Sequence, residues 1–269
     1  MSAFSTGSSF PAVSKVLVTG SADGLGRIAA QQLVAGGHEV ILHARDRRRA
    51  DDALRATPGA GHALVGDLAS IRETRALAEA ANGAGRFDAV IHNAGVGYRG
   101  PRIETEDGLA HVFAINVLAP YLLTALMTVP DRLVYLTSGM HRGGDPDLSD
   151  LAWRRRRWNG AQAYSDSKLF DVVLAFAVAR RWRGVLSNAV APGWVATKMG
   201  GPGAPDDLSL GADTQVWLAT SNDPDATVSG RCLYHREPSA THPAARDREV
   251  QDGLLEACEE LTGVALRAG

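Results

Sequence analysis

Apolar residues along the chain form short runs that alternate with longer amphipathic stretches. The short apolar runs, of which the first is rich in β-branched residues, predict seven strands, at 15–19, 39–43, 62–65, 88–92, 132–138, 186–191 and 230–234. Apolar residues at helical spacing predict helices from Leu25, over 70–81, over 107–128 with a break near Pro120, over 162–180 and over 209–218. This alternation is typical of an α/β fold in which helices cover both faces of a doubly wound parallel sheet.

A single domain accounts for this pattern. We expect it to occupy 1–269, with its core at 15–234, an insertion at 139–162 and a carboxy-terminal extension at 238–269 that ends in a helix. Right-handed crossovers between parallel strands give a doubly wound fold. In such a fold the ligand lies at the carboxyl ends of the strands.

The composition excludes several classes of protein. Lysine and arginine number 28 against 30 aspartates and glutamates, so the charge of −2 gives no general attraction for nucleic acid or anionic membranes. Two cysteines, Cys232 and Cys258, are too few for a disulfide framework or a multi-cysteine metal site. Residues 1–11 lack the charged and apolar regions of a signal peptide, and no apolar stretch is long enough to cross a bilayer. We therefore expect a cytoplasmic protein.

A glycine-rich turn joins the first strand to the first helix and reads Thr19-Gly-Ser-Ala-Asp-Gly-Leu-Gly26. Glycines permit a tight turn and a close approach of the backbone to a pyrophosphate, while the helix N-terminus offers unpaired N–H groups. The spacing is G-x-x-x-G-x-G rather than the common G-x-G-x-x-G. Its place between a strand and an amphipathic helix favours nucleotide binding over simple close packing.

The end of the second strand bears on the choice of nucleotide. There the chain continues with Arg45 and Asp46, at the point where such folds bind the adenosine ribose. An arginine suits a 2′-phosphate, whereas an acid suits a free 2′-hydroxyl. Because Arg45 comes first, we expect NADPH or NADP, and Asp46 leaves NAD as the less favoured alternative.

Tyr164 and Lys168 begin the helix predicted over 162–180 and, four residues apart, share one of its faces. An ammonium group near a phenol favours the phenolate, so such a pair can move a proton at a carbonyl or alcohol oxygen. Further short motifs follow the other strands or lie on the helices between them. In chain order, all of them are Thr19-Gly20-x-x-x-Gly24-x-Gly26, Asp67-Leu68, Asn93-Ala94-Gly95, Asn116, Ser138, Tyr164-x-x-x-Lys168 and Pro192-Gly193-x-Val195-x-Thr197.

Together these motifs resemble the short-chain dehydrogenase/reductase family over roughly 15–234. The resemblance implies an NAD(P)-binding Rossmann-like domain in which Tyr164 donates the proton, Ser138 hydrogen-bonds the same oxygen, Lys168 binds the nicotinamide ribose and Asn116 holds a water of the proton relay. No metal is implied. The implied cofactor-binding residues are Gly20, Ser21, Asp23, Gly24, Leu25, Gly26, Arg45, Asp67, Leu68, Asn93, Ala94, Gly95, Tyr164, Lys168, Pro192, Gly193, Val195 and Thr197.

The chain departs from the family pattern in two places. His92 stands where the family often has asparagine. Ser138 and Tyr164 are 26 positions apart, about twice the usual gap, which resembles the retinol-dehydrogenase and protochlorophyllide-reductase-like branch. The long gap leaves Ser149 as an alternative serine, although Ser138 ends a strand and Ser149 lies in a polar loop. In the same insertion, the segment 153–158 (WRRRRW) could bind nucleic acid, but we favour a surface segment whose tryptophans pack inward.

The leading hypothesis is an NADPH-dependent reductase of a small-molecule ketone or aldehyde, acting as a monomer or homodimer. An NAD-linked alcohol dehydrogenase and a non-catalytic nucleotide-sensing protein are the alternatives, and the presence of both Tyr164 and Lys168 argues against the latter. An apolar mouth would favour a bulky apolar substrate, and we expect it to be formed by Trp153, Trp158, Trp194 and Met199.

Overall fold

A computed structural model describes residues 13–267; the stretch 1–11, expected to lack a signal peptide, lies outside the described residues. One eight-stranded sheet organises the chain, in the order β3-β2-β1-β4-β5-β6-β7-β8. Every neighbouring pair is parallel except β7 and β8. The strands are β1 (Lys15–Val18), β2 (Glu39–Ala44), β3 (His62–Val65), β4 (Ala89–His92), β5 (Arg132–Leu136), β6 (Leu186–Val190), β7 (Cys232–Tyr234) and β8 (Glu237–Pro238).

Helices cover both faces of this sheet, as a parallel sheet requires. They are α1 (Gly24–Ala35), α2 (Arg47–Ala56), α3 (Ile71–Gly83), α4 (His111–Phe113), α5 (Ala119–Leu126), α6 (Gly160–Arg181), α7 (Asp213–Thr220) and α8 (Arg248–Thr262). Side chains of β1 alternate between two cores: Leu17 packs with α3, α5 and α6, whereas Val16 and Val18 pack with α1 and α7. The order reverses between β1 and β4, so the carboxyl ends of these strands open a crevice for a ligand.

The seven predicted strands are confirmed, and β8 is added to them. This two-residue strand pairs antiparallel with β7 through a turn in which His235 and Arg236 both have positive φ. Turns of that kind usually carry Asn-Gly, so the sequence held no signal for a hairpin here.

The break predicted near Pro120 lies one turn earlier. Residues Ala114–Leu118 form a π-helical turn between α4 and α5, and the amide of Ala119 donates to the carbonyl of Ala114, five residues back. Pro120 has no N–H and so cannot donate to the carbonyl of Asn116, its partner in a regular α-helix. The wider turn brings Asn116, which is buried, against α6.

A buried acid, Asp150, stabilises the fold of the insertion 139–162. The carboxylate of Asp150 accepts hydrogen bonds from the backbone amides of Arg154, Arg155 and Arg156, at 2.8, 3.1 and 3.0 Å. Trp153 is buried in the core and packs edge-on against Trp158, with ring centroids 5.4 Å apart. The expectation that Trp153 lines the substrate mouth is therefore wrong, and the inward packing of the tryptophans is confirmed.

The carboxy-terminal extension ends in α8, which packs against α6 through Leu254, Leu255 and Cys258. Among residues 13–267, no helix combines the length and the apolar character that crossing a membrane would require.

Candidate active site

The glycine turn fits tightly between β1 and α1. Gly20 has a φ of +63°, and a Cβ there would lie 2.8 Å from Cα of Ala94. A Cβ on Gly26 would lie 2.5 Å from the carbonyl oxygen of Gly20. Because neither position can carry a side chain without displacing backbone, the absence of side chains there lets a ligand approach the backbone closely at the start of α1.

A cleft of about 450 Å³ opens in front of this turn, at the carboxyl ends of the strands. Glycines of the turn and the basic side chains of Arg45, Arg49 and Lys198 line it, a lining that suits the phosphate groups of a dinucleotide. Fifteen of the residues implied by the family pattern line it: Gly20, Asp23, Gly24, Leu25, Gly26, Arg45, Asp67, Leu68, Asn93, Ala94, Gly95, Tyr164, Lys168, Pro192 and Thr197.

Three of the implied cofactor-binding residues lie elsewhere. The hydroxyl of Ser21 is buried and accepts a hydrogen bond from the backbone amide of His43 at 2.9 Å. This bond joins the turn to β2. Gly193 and Val195 line a neighbouring cavity instead of the cleft.

His43 was missed by sequence reasoning, yet it fixes the turn from behind. Its Nδ1 accepts a hydrogen bond from the amide of Gly20 at 2.9 Å, and its Nε2 lies 2.9 Å from the carbonyl oxygen of Gly66. Burial lowers the pKa of His43, so the ring is neutral and Nε2 carries the proton. A polar residue inside an apolar strand was the available signal.

Basic residues lie at both ends of the glycine turn. Arg45 and Arg49 line the cleft beside the end of β2, while Asp46 caps α2 by accepting from the amide of Arg49 at 2.8 Å. At the other end Lys198 forms an ion pair with Asp23, and its hydrogen bond is the main cause that lowers the pKa of Asp23.

Tyr164 lies where the cleft meets a second cavity of about 550 Å³ and lines both. Its hydroxyl is 3.7 Å from Sδ of Met199, and its ring packs on that of Tyr98 at 5.6 Å. Ser138 lines the second cavity directly after β5. Ser149, the alternative, instead donates to Asp147 at 2.9 Å on the exposed surface.

Lys168 lies at the floor of the cleft, one turn after Tyr164. Its ammonium group donates to the carbonyl of Leu136 at 2.8 Å and to the carboxylate of Asp171 at 2.8 Å. Nζ is 5.8 Å from the centre of the Tyr164 ring, close enough for its charge to act on the phenol.

Asn116 lies behind the cleft rather than in its lining. Its amide group bonds both backbone groups of Val96, accepting at 2.8 Å and donating at 3.1 Å, and donates to the hydroxyl of Ser167 at 2.9 Å. These contacts join the loop after β4 to α6, so Asn116 ties two walls of the site together.

The sequence is similar to those of known proteins over most of its length. The family model described as short chain dehydrogenase matches residues 14–133. The short-chain dehydrogenase chyC of Penicillium rubens is 42% identical over 260 residues, which cover 95% of this chain and 100% of that protein. The chain is a short-chain dehydrogenase/reductase.

More distant relatives place this dehydrogenase/reductase near the retinol dehydrogenases. Human retinol dehydrogenase 14 is 32% identical, covering 93% of this chain and 86% of that one. A Streptomyces sp. (strain C5) protein, named as a candidate daunorubicin C-13 ketoreductase DnrU, is 32% identical, with coverages of 94% and 93%. The crystal structure of an uncharacterized protein from Mycobacterium paratuberculosis superimposes with a TM-score of 0.82 at 27% identity, covering 94% and 95%.

Proposed function

We propose that the protein reduces a ketone or aldehyde to the alcohol with NADPH. The observation that carries the proposal is the position of Tyr164, which borders the glycine-lined cleft on one side and a second cavity on the other. A group at that boundary can reach a carbonyl oxygen whose carbon faces the cleft.

The residues around that boundary divide the chemistry between them. NADPH, when bound, supplies the hydride that adds to the carbonyl carbon. The hydroxyl of Tyr164 gives its proton to the carbonyl oxygen, so the product is the neutral alcohol. Ser138 donates a hydrogen bond to the same oxygen as negative charge develops on it, and the ammonium of Lys168 stabilises the phenolate left on Tyr164.

The preference for NADPH rests on the end of β2. Arg45 and Arg49 offer two guanidinium groups to a 2′-phosphate. Asp46, the group that would suit a ribose hydroxyl, is engaged in capping α2. This arrangement favours the reductase over the NAD-linked alcohol dehydrogenase.

The second cavity favours a bulky apolar substrate. Aromatic and thioether side chains contribute much of its wall: Tyr98, Met140, Trp194, Met199 and Tyr234. Of the residues expected to form the mouth, Trp194 and Met199 line this cavity, whereas Trp158 borders a smaller one beside the cleft. The name of the Streptomyces relative, a candidate daunorubicin C-13 ketoreductase, supports a ketone as the substrate class.

The test is turnover by the purified protein with NADPH and a panel of aryl and alkyl ketones. Tyr164→Phe removes the proton donor and should lower kcat by about 10²–10⁴-fold, while NADPH binding, followed by its fluorescence, stays within a few-fold of wild type. Near-normal turnover by Tyr164→Phe would refute the role of Tyr164. Binding of NADPH with no turnover of any ketone by the wild type would favour the nucleotide-sensing alternative.

A further inference from the structure

Asp171 places a carboxylate in the protein interior beside Lys168. It lies on α6 three residues after Lys168, and its Oδ2 is 2.8 Å from Nζ. The two side chains are 3% and 5% exposed, so both charges are removed from water. Burying a carboxylate carries a large desolvation penalty. The presence of Asp171 at this position therefore calls for a functional explanation.

The ammonium group of Lys168 has three N–H donors, and protein acceptors hold two of them. One N–H bonds Leu136 at the end of β5 and one bonds Asp171. Lys168 nevertheless lines the cleft, and a Cβ on Gly95 would lie only 3.5 Å from its Nζ. The third N–H is therefore available at the floor of the cleft.

We propose that Asp171 is a positioning residue for the reaction: with the carbonyl of Leu136 it fixes the ammonium of Lys168 at the cleft floor and keeps it charged. The inference rests on the proposed function, because a charged Lys168 matters when Tyr164 transfers a proton. It adds a residue that the family resemblance did not include.

The charged and titratable groups around this pair support the inference. Burial lowers the pKa of Lys168, but the carboxylate of Asp171, together with the charge of Tyr164, outweighs this effect and raises the pKa above its ordinary value. Burial raises the pKa of Asp171 to about 7 against the attraction of Lys168. From β5, Tyr135 faces Asp171, and burial raises its pKa far above the working range; from β4, His92 stacks on Tyr135 and burial lowers its pKa to about 3, so both rings are neutral.

The signature is a pH dependence. Above about pH 7 the wild-type carboxylate is ionised and keeps Lys168 charged. Asp171→Asn removes the negative charge but keeps the shape, so the buried ammonium loses its proton at lower pH. Below about pH 7 wild-type Asp171 is itself protonated, and the two proteins should behave alike. We expect the ratio of wild-type to Asp171→Asn kcat to rise between about pH 6 and pH 9, by up to ~10-fold when the pKa of Lys168 falls by about 2.5 units, because an opposite charge within hydrogen-bond distance shifts a pKa by about 1–3 units.

A second measurement does not depend on turnover. The chain has three lysines, Lys15, Lys168 and Lys198, so ¹³C labelling at lysine Cε gives three resonances that Lys→Arg variants at 15 and 198 assign. The Cε resonance of Lys168 should titrate about 1–3 pH units lower in Asp171→Asn than in the wild type. Unchanged titration, together with a kcat ratio that does not vary with pH, would overturn the proposal.

The control is Asp166→Asn on the same helix. Asp166 is also buried, but it pairs with Arg156 at 3.3 Å, away from Lys168. This variant should lose thermal stability and leave both the Lys168 titration and the shape of the pH profile unchanged. If instead Tyr164→Phe keeps its turnover, the proposed function fails, whereas the lysine titration still reports on Asp171 independently.

Discussion

Arg156 should be the residue on which the stability of the insertion 139–162 depends most. Its guanidinium lies 3.3 Å from Asp166 on α6 and 3.6 Å and 3.7 Å from Asp150 and Asp145 within the insertion. It also stacks on the ring of Trp153 at 3.9 Å. One cation therefore joins the insertion to the helix that carries Tyr164.

The expected loss follows from the partners that Arg156→Gln leaves behind. The side chains of Asp150 and Asp166 are 5% and 4% exposed, and removing one member of a buried ion pair typically costs about 3–5 kcal/mol. Both acids keep other donors: Asp150 keeps three backbone amides, and Asp166 keeps the amide of Asp145 at 2.8 Å and the side chain of Gln162 at 2.7 Å. We reduce the ion-pair loss to about 2 kcal/mol and add about 1 kcal/mol for the cation–π contact.

The loss should also depend on pH. Burial raises the pKa of Asp166 above its ordinary value of 3.8 even with Arg156 present, and removing the arginine raises it further. A carboxyl whose folded pKa is raised is unfavourable to folding when ionised, so the folded state loses stability as pH rises above about 4. The difference between Arg156→Gln and wild type should therefore be smallest near pH 4 and reach its full value by about pH 8.

Urea unfolding at several pH values measures the free energy of unfolding directly. A loss of about 3 kcal/mol lowers Tm by roughly 6–12 °C in a protein of this size. Arg157→Gln is the matched control, since Arg157 is exposed and makes no hydrogen bond or ion pair with the residues of 13–267. If the free energies of unfolding of Arg156→Gln and Arg157→Gln agree within about 0.5 kcal/mol, the guanidinium of Arg156 does not stabilise the insertion.

Two further predictions concern the site. Ser138→Ala should lower kcat by about 10²–10³-fold, as expected for losing one donor to a developing oxyanion, while its affinity for NADPH changes little. Ser149→Ala, which alters an exposed turn, should keep kcat within a few-fold of wild type. If Ser149→Ala shows the large loss and Ser138→Ala does not, the serine that acts in the reaction lies in the insertion. Arg45→Ala should weaken NADPH by about 10–150-fold through loss of a charge-assisted contact of about 1.5–3 kcal/mol and leave NADH almost unaffected, which parallel fluorescence titrations can compare; equal losses for both would show that Arg45 does not bind the 2′-phosphate.

The strands of the sheet could be predicted from the sequence because the pattern that marks a strand is local. Each predicted strand is a short apolar run, and motif residues such as Gly20, Asn93 and Ser138 follow the strand ends within two positions. Elements without a local signal were missed or misplaced. α2 is rich in arginine and acid with few apolar positions, and β8 has two residues.

The missed site residues share a different cause, since they act through partners distant in the chain. His43 is 23 positions from both Gly20 and Gly66, and its local signal, a polar residue in an apolar strand, does not indicate these partners. Lys198 reaches Asp23 across 175 positions. Asp171 did carry a signal, because an acid on the apolar stripe of a helix, three residues after a lysine, has to find a cation in the core.

The π-helical turn at Ala114–Leu118 has a consequence for anyone who edits or transplants this site. A helical turn with one extra residue rotates the side chains before it by about 100° relative to the side chains after it, compared with an uninterrupted helix. Phe113 of α4 and Leu122 and Leu123 of α5 can therefore all pack into one core while Asn116 faces α6. Deleting a single residue within 114–118 would straighten the helix and turn these side chains of one of the two helices toward water. The extra residue thus sets the rotation of α4 relative to α5, and a graft of the site onto another sheet has to include it.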